Sequence, residues 1–373
     1  MNKKMLVVLG VLVAVAVGIL WWHNRPSANE IQIGTILGLT GKNSAYGKAM
    51  QKGFDFAIEE INSGGGVLGK ELHLEPEDSQ FDPGKAVSAY QSLTSAKGIS
   101  LIVGIAGSKS ALAVCAVAKN DNTVILDPLG SAPKLSWARS PGYFRIMASD
   151  AFAGQYNVAW AISEGMKRPA IIYEEDDWGA SYRDAVLHYL GERGYSSIPS
   201  YGVTEGTRDF KTQVQKLRSN QPDAIFLLIY AGEGAAFMRD LRQLGLNAVV
   251  YGSDNISSSE FTTAGAEAIQ AVRVAMPTPS GGSKFSAFAE RYKRRYGEAP
   301  DANVLKSYDA MSLMARAIAQ NGLDPQRIRA FFRSPAFTYE GVSGHIRFDA
   351  NGDLVGQQYS RMVYQSSQLV PVK

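Results

Sequence analysis

The architecture of the chain is decided by residues 31–72, which read IQIGTILGLTGKNSAYGKAMQKGFDFAIEEINSGGGVLGKEL. The first nine residues form a short apolar run, which is typical of a buried strand. Apolar side chains then recur at helical spacing, at Met50, Phe54, Ala57, Ile58 and Ile61. Glycines 64–66 end this helix, and a second strand-like segment follows at 70–78. The pattern predicts a strand–helix–strand unit whose two strands lie parallel.

The same alternation continues to the strand-like NTVILDP at residues 122–128, and then restarts with a helix at 152–166. Two such series predict an α/β fold with two Rossmann-like lobes, each built on a parallel sheet. The C-terminal part has two helices and an NGD turn inside a predicted hairpin at 344–365, too little for a third domain. We expect it to fold back on both lobes through a multi-strand hinge. The predicted boundaries are 31–148 with 278–342 for lobe 1, and 149–277 with 343–373 for lobe 2.

Composition narrows the functional classes. The chain has 373 residues, of which 45% are hydrophobic and 20% are charged, so long disordered regions are not expected. Its net charge is +3 and its body carries no basic block, which argues against a nucleic-acid partner. Cys115 is the single cysteine, so no intramolecular disulfide can form, and its alanine-rich surroundings predict a buried core residue.

The N-terminal 30 residues differ from the rest of the chain. Lys3 and Lys4 precede an apolar run from Met5 to Trp22, which is close to the roughly 20 residues that span a bilayer. The segment 1–30 is therefore either a removed signal peptide or an uncleaved anchor formed by residues 5–22. Either interpretation places the remaining chain outside the cytoplasm, in the periplasm.

Catalytic and metal-binding patterns are absent from the sequence. The four histidines show no paired metal-ligand spacing, and no G-x-S-x-G motif occurs. GSKS at 107–110 resembles a phosphate loop, but Ser108 stands where that motif requires glycine. Ser108 and Lys109 are adjacent, so their side chains diverge on a helix and do not form a nucleophile–base pair. We expect no enzyme activity, no metal and no cofactor.

Two serines follow neighbouring strand ends. Ser108 opens a helix after the third strand, and Ser131 lies in the loop after the fourth. Helix N-termini and hydroxyls at the carboxyl ends of parallel strands can hold an anion, although such serines can also be ordinary helix caps. In the second lobe, acids and aromatic residues also follow strands, although these acids can equally be solvated: Asp176, Asp177, Trp178, Tyr230, Glu233 and Asp254. Hydroxyls facing acids would suit a zwitterion such as an amino acid.

Several motifs together resemble those of one family. They are the opening stretch with INSGGGVLGK, then EDSQFDPGKAV, YEEDDWGASY, TRDFKTQVQKLRSNQPDAIFL, YGEAPDANVLKSYDAM and EGVSGHIRFDANGD. The chain resembles the type I periplasmic binding proteins, in particular the branched-chain amino-acid binding proteins of ABC importers. The resemblance runs from Ile31 to about Tyr364. It implies a monomeric protein that binds a small molecule between its lobes and delivers it to a permease in the inner membrane.

The resemblance also implies roles for individual residues. Ser108 and Ser131 would hold the ligand carboxylate, Leu129 would contribute its backbone carbonyl to the site, and Asp254 would meet the ammonium. The remaining positions that match ligand contacts or the lobe crossing are Tyr230, Trp178, Tyr46 and Asp150. Lys109 replaces a small polar residue, which would favour an acidic side chain or a dicarboxylate if it enters the cleft. A membrane-tethered ligand-sensing receptor on the same fold is the alternative function.

Overall fold

The computed structural model describes residues 29–278 and 282–372. The first lobe contains a five-stranded sheet in the order β2-β1-β3-β4-β5, with all pairs parallel. Its strands are β1 Glu30–Leu37, β2 Glu71–Asp78, β3 Leu101–Ile105, β4 Val124–Asp127 and β5 Tyr143–Arg145. Four helices connect them: α1 Ser44–Ser63, α2 Pro83–Gln91, α3 Ser108–Val117 and α4 Leu135–Ala138. The central strands β3 and β4 are buried along their whole length, as expected of strands covered on both faces.

The second lobe contains a seven-stranded sheet in the order β14-β13-β10-β9-β8-β6-β7. Its parallel strands are β6 Pro169–Glu174, β7 Ser200–Val203, β8 Ala224–Leu228, β9 Val249–Ser253 and β10 Arg273–Pro277. Its helices are α5 Asp150–Ser163, α6 Asp177–Glu192, α7 Lys211–Asn220, α8 Ala231–Gln243, α9 Ser259–Thr262 and α10 Ala266–Ile269. The predicted α/β fold with two lobes on mainly parallel sheets is confirmed.

The C-terminal part of the chain contributes helices to the first lobe and strands to the second. Helices α11 Gly282–Tyr296, α12 Ala302–Asn321 and α13 Pro325–Arg333 follow β10, and α12 packs on α1 of the first lobe. A small ladder of β11 Tyr339–Glu340 and β12 His345–Ile346 comes next. The strands β13 Tyr359–Gln365 and β14 Gln368–Pro371 then extend the second sheet in antiparallel fashion. The chain thus passes between the lobes near residues 148, 278 and 356.

One predicted boundary is wrong. Residues 343–373 were expected in the second lobe, but Ile346, Phe348 and Leu354 lie in the first-lobe core. An antiparallel bridge joins Phe348 to Leu354 around the NGD turn. The predicted long hairpin therefore stops at this bridge, because β13 pairs with β10 and β14 instead. Hydrophobic burial of this aromatic segment against Phe144 and Phe332 keeps it with lobe 1.

The hydrophobic core has three main parts. One cluster lies within lobe 1 and another within lobe 2, and a third joins side chains of both lobes near the first crossing. Cys115 is buried in this third cluster, as the sequence predicted. The lobes therefore pack on each other through this third cluster, which includes Trp178 and Tyr230.

The segment predicted as a signal peptide or membrane anchor, residues 1–30, lies almost wholly outside the described residues. Within residues 29–278 and 282–372, no helix is both long enough and apolar enough to cross a bilayer.

Candidate functional site

A cavity lies between the two lobes at the carboxyl ends of their strands. Its lining includes every predicted site residue except Lys109: Ser108, Leu129, Ser131, Tyr46, Asp150, Trp178, Tyr230 and Asp254. The lining also contains residues that the sequence analysis did not single out: Phe81, Gly107, Met147, Asn255, Ser257, Ser258, Asp301, Ala302 and Asn303. The structure therefore brings together polar groups that lie far apart in the sequence.

The turn between β3 and α3 presents a helix N-terminus to this cavity. Gly107 has a φ of 90° there, and a Cβ atom would lie 2.8 Å from the ring of Phe81, so glycine is required. No side chain caps α3. Ser108 is buried, and its hydroxyl oxygen accepts a hydrogen bond from the backbone N–H of Ala132 at 3.1 Å. Ser108 is thus not an ordinary helix cap, and its hydroxyl proton is available for a ligand anion.

Buried side chains of the first lobe hold the loop that carries Leu129 and Ser131 by hydrogen bonds. The Asp127 carboxylate accepts a hydrogen bond from the Leu129 N–H at 3.0 Å and another from the Tyr143 hydroxyl at 2.6 Å. Arg145 is fully buried and donates to the carbonyls of Gly130 and Ala132 at 3.2 and 2.9 Å. These bonds fix the loop on both sides of Ser131 before any ligand arrives.

The guanidinium that holds this loop is anchored by the NGD turn. The Arg145 Nε donates to the carboxylate of Asp353 at 2.9 Å, across 208 positions of the chain. Arg145 and Asp353 are support residues that the sequence analysis missed. A buried arginine requires a carboxylate partner, so this pair explains the aspartate at the end of the FDANGD motif.

The second lobe supplies an aromatic wall. The rings of Trp178 and Tyr230 stack with centroids 4.8 Å apart and an angle of 18°. The indole Nε1 of Trp178 donates to the Asp150 carboxylate at 2.6 Å, and the Tyr230 hydroxyl donates to Asp176 at 2.8 Å. Asp176 also caps α6 by accepting from the Gly179 N–H. Both rings are therefore fixed in orientation, with their apolar surfaces toward the cavity.

Two carboxyl groups line the cavity, the buried Asp150 and the partly buried Asp254. Burial and the nearby Asp254 carboxylate raise the pKa of Asp150 to about 7, against the opposing hydrogen bonds from Ser131 and Trp178. Burial also raises the pKa of Asp254, while attraction by the ammonium of Lys306 opposes the rise. Neither lysine nor arginine occurs among the described residues that line the cavity. The site is therefore electrostatically suited to a ligand with a positive group.

Lys109 makes a contact across the cleft. Its ammonium pairs with the Glu205 carboxylate of the second lobe at 2.5 Å, and the Asn43 amide donates to the same carboxylate at 3.1 Å. Within the described residues it contributes nothing to the lining of the cavity. Its sequence neighbour Ser108 points to the ligand space while Lys109 joins the lobes.

Close to Lys109 lies a buried carboxyl group that the sequence analysis also missed. Glu174 ends β6, is fully buried, and its two oxygens accept no hydrogen bond from any described residue. Burial and the charges of Glu233, Asp176 and Glu205 raise its pKa to about 8, and Lys109 counteracts part of this effect. The second-lobe side of the cleft is therefore acidic beyond the cavity itself.

The arrangement offers binding groups without a reactive assembly. The described lining of the cavity contains no histidine and no cysteine. Across residues 29–278 and 282–372, no group of histidine, cysteine, aspartate and glutamate side chains could hold a metal ion. Hydroxyls, a helix N-terminus, carboxylates and aromatic rings can bind and orient a small zwitterion.

Comparisons by family model, by sequence and by structure all match the chain to solute-binding proteins. Residues 30–367 match a family model described as "Periplasmic binding protein". The Leu/Ile/Val-binding protein BraC3 of Rhizobium johnstonii is 26% identical over 347 residues, which cover 91% of this chain and 93% of that protein. A crystal structure of the leucine-binding protein LivK of Thermotoga maritima has a TM-score of 0.84 at 25% identity, covering 92% of this chain and 98% of that one. A solute-binding protein of R. palustris in complex with benzoate shares the fold, with a TM-score of 0.82 at 17% identity and coverage of 92% and 95%.

Proposed function

The chain belongs to the periplasmic binding protein family, in the type I group that includes the branched-chain amino-acid binding proteins, and we propose that its ligand is a free amino acid. Members of this family bind solutes and are not enzymes. One observation carries the proposal: a single cavity combines the uncapped N-terminus of α3 and Ser108 with the carboxylate of Asp254. The first would receive an α-carboxylate and the second an α-ammonium.

Each end of the amino acid has several partners in this proposal. Ser108 donates its hydroxyl proton to the carboxylate, Ser131 turns its hydroxyl from Asp150 to the carboxylate, and N–H groups of the first turn of α3 add to the attraction. Asp254, Asp150 and the carbonyl of Leu129 accept from the ammonium. Trp178 and Tyr230 cover the ligand with their stacked rings. Charge-assisted bonds of this kind are strong because the closed cleft excludes water.

The charge of the cavity separates an amino acid from other carboxylates. A dicarboxylate or an aromatic acid would bring its negative charge to Asp150 and Asp254 without an ammonium to pair with them. Because Lys109 is paired with Glu205, it does not supply the cation that such an acid requires. The proposed ligand class is therefore zwitterionic.

We further propose that the closed, liganded form delivers its amino acid to an ABC permease from the periplasm. The apolar run Met5–Trp22 favours a second candidate, in which an uncleaved anchor tethers a ligand-sensing receptor to the inner membrane. Membrane fractionation with N-terminal sequencing tests the anchor. A mature chain that begins near Asn29 and stays in the soluble fraction would contradict it. Ligand-dependent ATP hydrolysis by the reconstituted importer tests delivery.

The binding proposal is tested by a thermal-shift screen of the standard amino acids, followed by calorimetry of the best ligand. A ligand that binds only the folded protein raises the melting temperature by mass action. We expect Ser131→Ala and Ser108→Ala each to weaken binding by about tenfold or more, the loss of one charge-assisted bond. Ser219→Ala serves as the control, because its hydroxyl bonds within α7 at the outer surface. Unchanged affinity in both cavity variants would contradict the proposal.

A further inference from the structure

Two residues that line the cavity carry a hydroxyl group with no hydrogen-bond partner among the described residues. They are Tyr46 on α1 of the first lobe and Ser258 at the start of α9 in the second lobe. Both oxygens are inaccessible to solvent. A buried hydroxyl without a hydrogen bond costs about 1–3 kcal/mol, so two such groups in one cavity indicate a missing polar partner.

Other polar groups that line the cavity do have hydrogen-bond partners within the protein. The Ser257 hydroxyl donates to the carbonyl of Asp254, and the Asn255 amide donates to the carbonyl of Ile229. Asp301 caps α12 by accepting from the Val304 N–H at 2.9 Å. Ser258 occupies the cap position of α9, yet its side chain makes no cap hydrogen bond. Tyr46 and Ser258 are thus set apart from the polar groups that have structural partners.

Their location relative to the amino-acid head group identifies what they contact. Ser108, Ser131 and Asp254 are assigned to the carboxylate and the ammonium, which leaves the space beside Tyr46 and Ser258 for the ligand side chain. The ring of Tyr46 lies 6.1 Å from that of Phe81, so this space has an apolar wall and two hydroxyls. An anionic side chain is disfavoured there, because Tyr46 already lies in the negative field of Glu260 and Asp254.

We infer that Tyr46 and Ser258 select an amino acid with a neutral hydrogen-bonding side chain, a hydroxyl or a carboxamide, over its aliphatic isostere. This inference rests on the proposed amino-acid function. A hydroxyl or a carboxamide can both donate and accept, so it can satisfy two hydroxyls that approach from opposite lobes. Burial and, to a smaller extent, the same field raise the pKa of Tyr46, which therefore remains a protonated donor at every physiological pH. A site built for a polar group rejects an analogue without it more strongly than an apolar pocket rejects a polar one.

Isosteric pairs provide the test. Calorimetry on the full chain compares threonine with valine and asparagine with leucine. In at least one pair we expect the polar member to bind about tenfold or more tightly, the cost of leaving buried hydroxyls unpaired. Ser258→Ala and Tyr46→Phe should each reduce that ratio to about threefold or less, mainly by weakening the polar member. Ser219→Ala, outside the cavity, should leave the ratio unchanged, and thermal melts of each variant confirm folding.

The outcomes separate this inference from the function on which it rests. If valine and leucine bind as tightly as their polar isosteres, the inference is wrong and the amino-acid function stands. If the polar preference exists but survives both substitutions, Tyr46 and Ser258 are not its cause and the inference is again wrong. If no amino acid raises the melting temperature in the screen, both the function and the inference fail.

Discussion

The two faces of the cleft carry opposite chemistry. The first lobe presents the uncapped N-terminus of α3 with Ser108 and has lysines beside the cavity, whereas the second lobe presents Asp254 and the stacked rings of Trp178 and Tyr230. Three contacts or attractions among the described residues follow this polarity: Lys109 with Glu205, Lys134 with Asp177, and Lys306 with Asp254.

This difference explains how closing the cleft can pair the charges of the ligand and the charges of the two lobes at the same time. A zwitterion placed between the faces meets a donor-rich side with its carboxylate and an acidic side with its ammonium. Meanwhile Lys109 brings positive charge to the acidic group around Glu174 and Glu205. If the proposed amino acid binds here, closure neutralises the second lobe twice, once through the ligand and once through the first lobe, and the ligand shifts the population toward the closed form.

The largest expected effect on ligand binding comes from removing the central acid of the second face. Asp254→Asn leaves the ligand ammonium without its counter-charge in the cavity, so we expect affinity to fall by about 100-fold, or roughly 3 kcal/mol. Calorimetry measures the change. Asp177→Asn is the matched control, because this aspartate lies on the same face but is half exposed and outside the cavity. Equal losses in the two variants would show that general acidity, and not the position of Asp254, determines binding.

The next effect is the dependence of the free energy of unfolding on pH, which we expect to involve Glu174. Its pKa is raised above the ordinary value of a glutamate, so the folded state binds its proton more tightly than the unfolded state does. Stability from this group is therefore present at low pH and is lost as pH rises toward about 8. Glu174→Gln should exceed the wild type by only about 1 kcal/mol at pH 5 and by about 4 kcal/mol at pH 8, because the penalty for ionising Glu174 grows as pH rises. Urea unfolding at both pH values measures this, and a constant difference would contradict the account.

A smaller effect is expected for the contact between Lys109 and Glu205. These side chains are only 16% and 24% exposed, compared with 43% and 50% for Lys134 and Asp177. Lys109→Met should weaken ligand binding about three- to tenfold by disfavouring closure, although Lys109 does not touch the ligand. Lys134→Met should change affinity less than twofold, since exposed pairs contribute little.

A double-mutant cycle sharpens this comparison. If the contact acts as a unit, Lys109→Met combined with Glu205→Gln should weaken binding no more than Lys109→Met alone. Small-angle scattering of the ligand-free proteins should show a more expanded average form for Lys109→Met than for Lys134→Met. Additive losses in the cycle would mean that Lys109 acts elsewhere.

Much of the fold was predictable because buried parallel strands are continuous apolar runs and helices keep their own period. Ser108 and Ser131 were also predictable as candidates, because strand ends in parallel sheets meet at one edge. The direction in which the Lys109 side chain points could not be predicted. Its partner Glu205 lies 96 positions away in the sequence and contacts it only across the cleft.

Other residues were missed for similar reasons. Arg145 and Asp353 are 208 positions apart, so their pairing has no local signal. Ser258 lies in a run of three serines that has the composition of an ordinary turn, and only burial distinguishes it. The boundary after 342 failed because aromatic packing with Phe144 and Phe332, and not the strand pattern, determines which lobe holds Phe348.

The most direct test of the central claim compares an amino acid with the same molecule lacking its ammonium. Calorimetry would measure the best amino acid of the screen against its deamino carboxylate on the wild-type protein. If opposite faces hold opposite ends of a zwitterion, the amino acid should bind at least about 100-fold more tightly, because Asp254 and Asp150 otherwise remain unpaired. Equal affinity for the two would contradict the account.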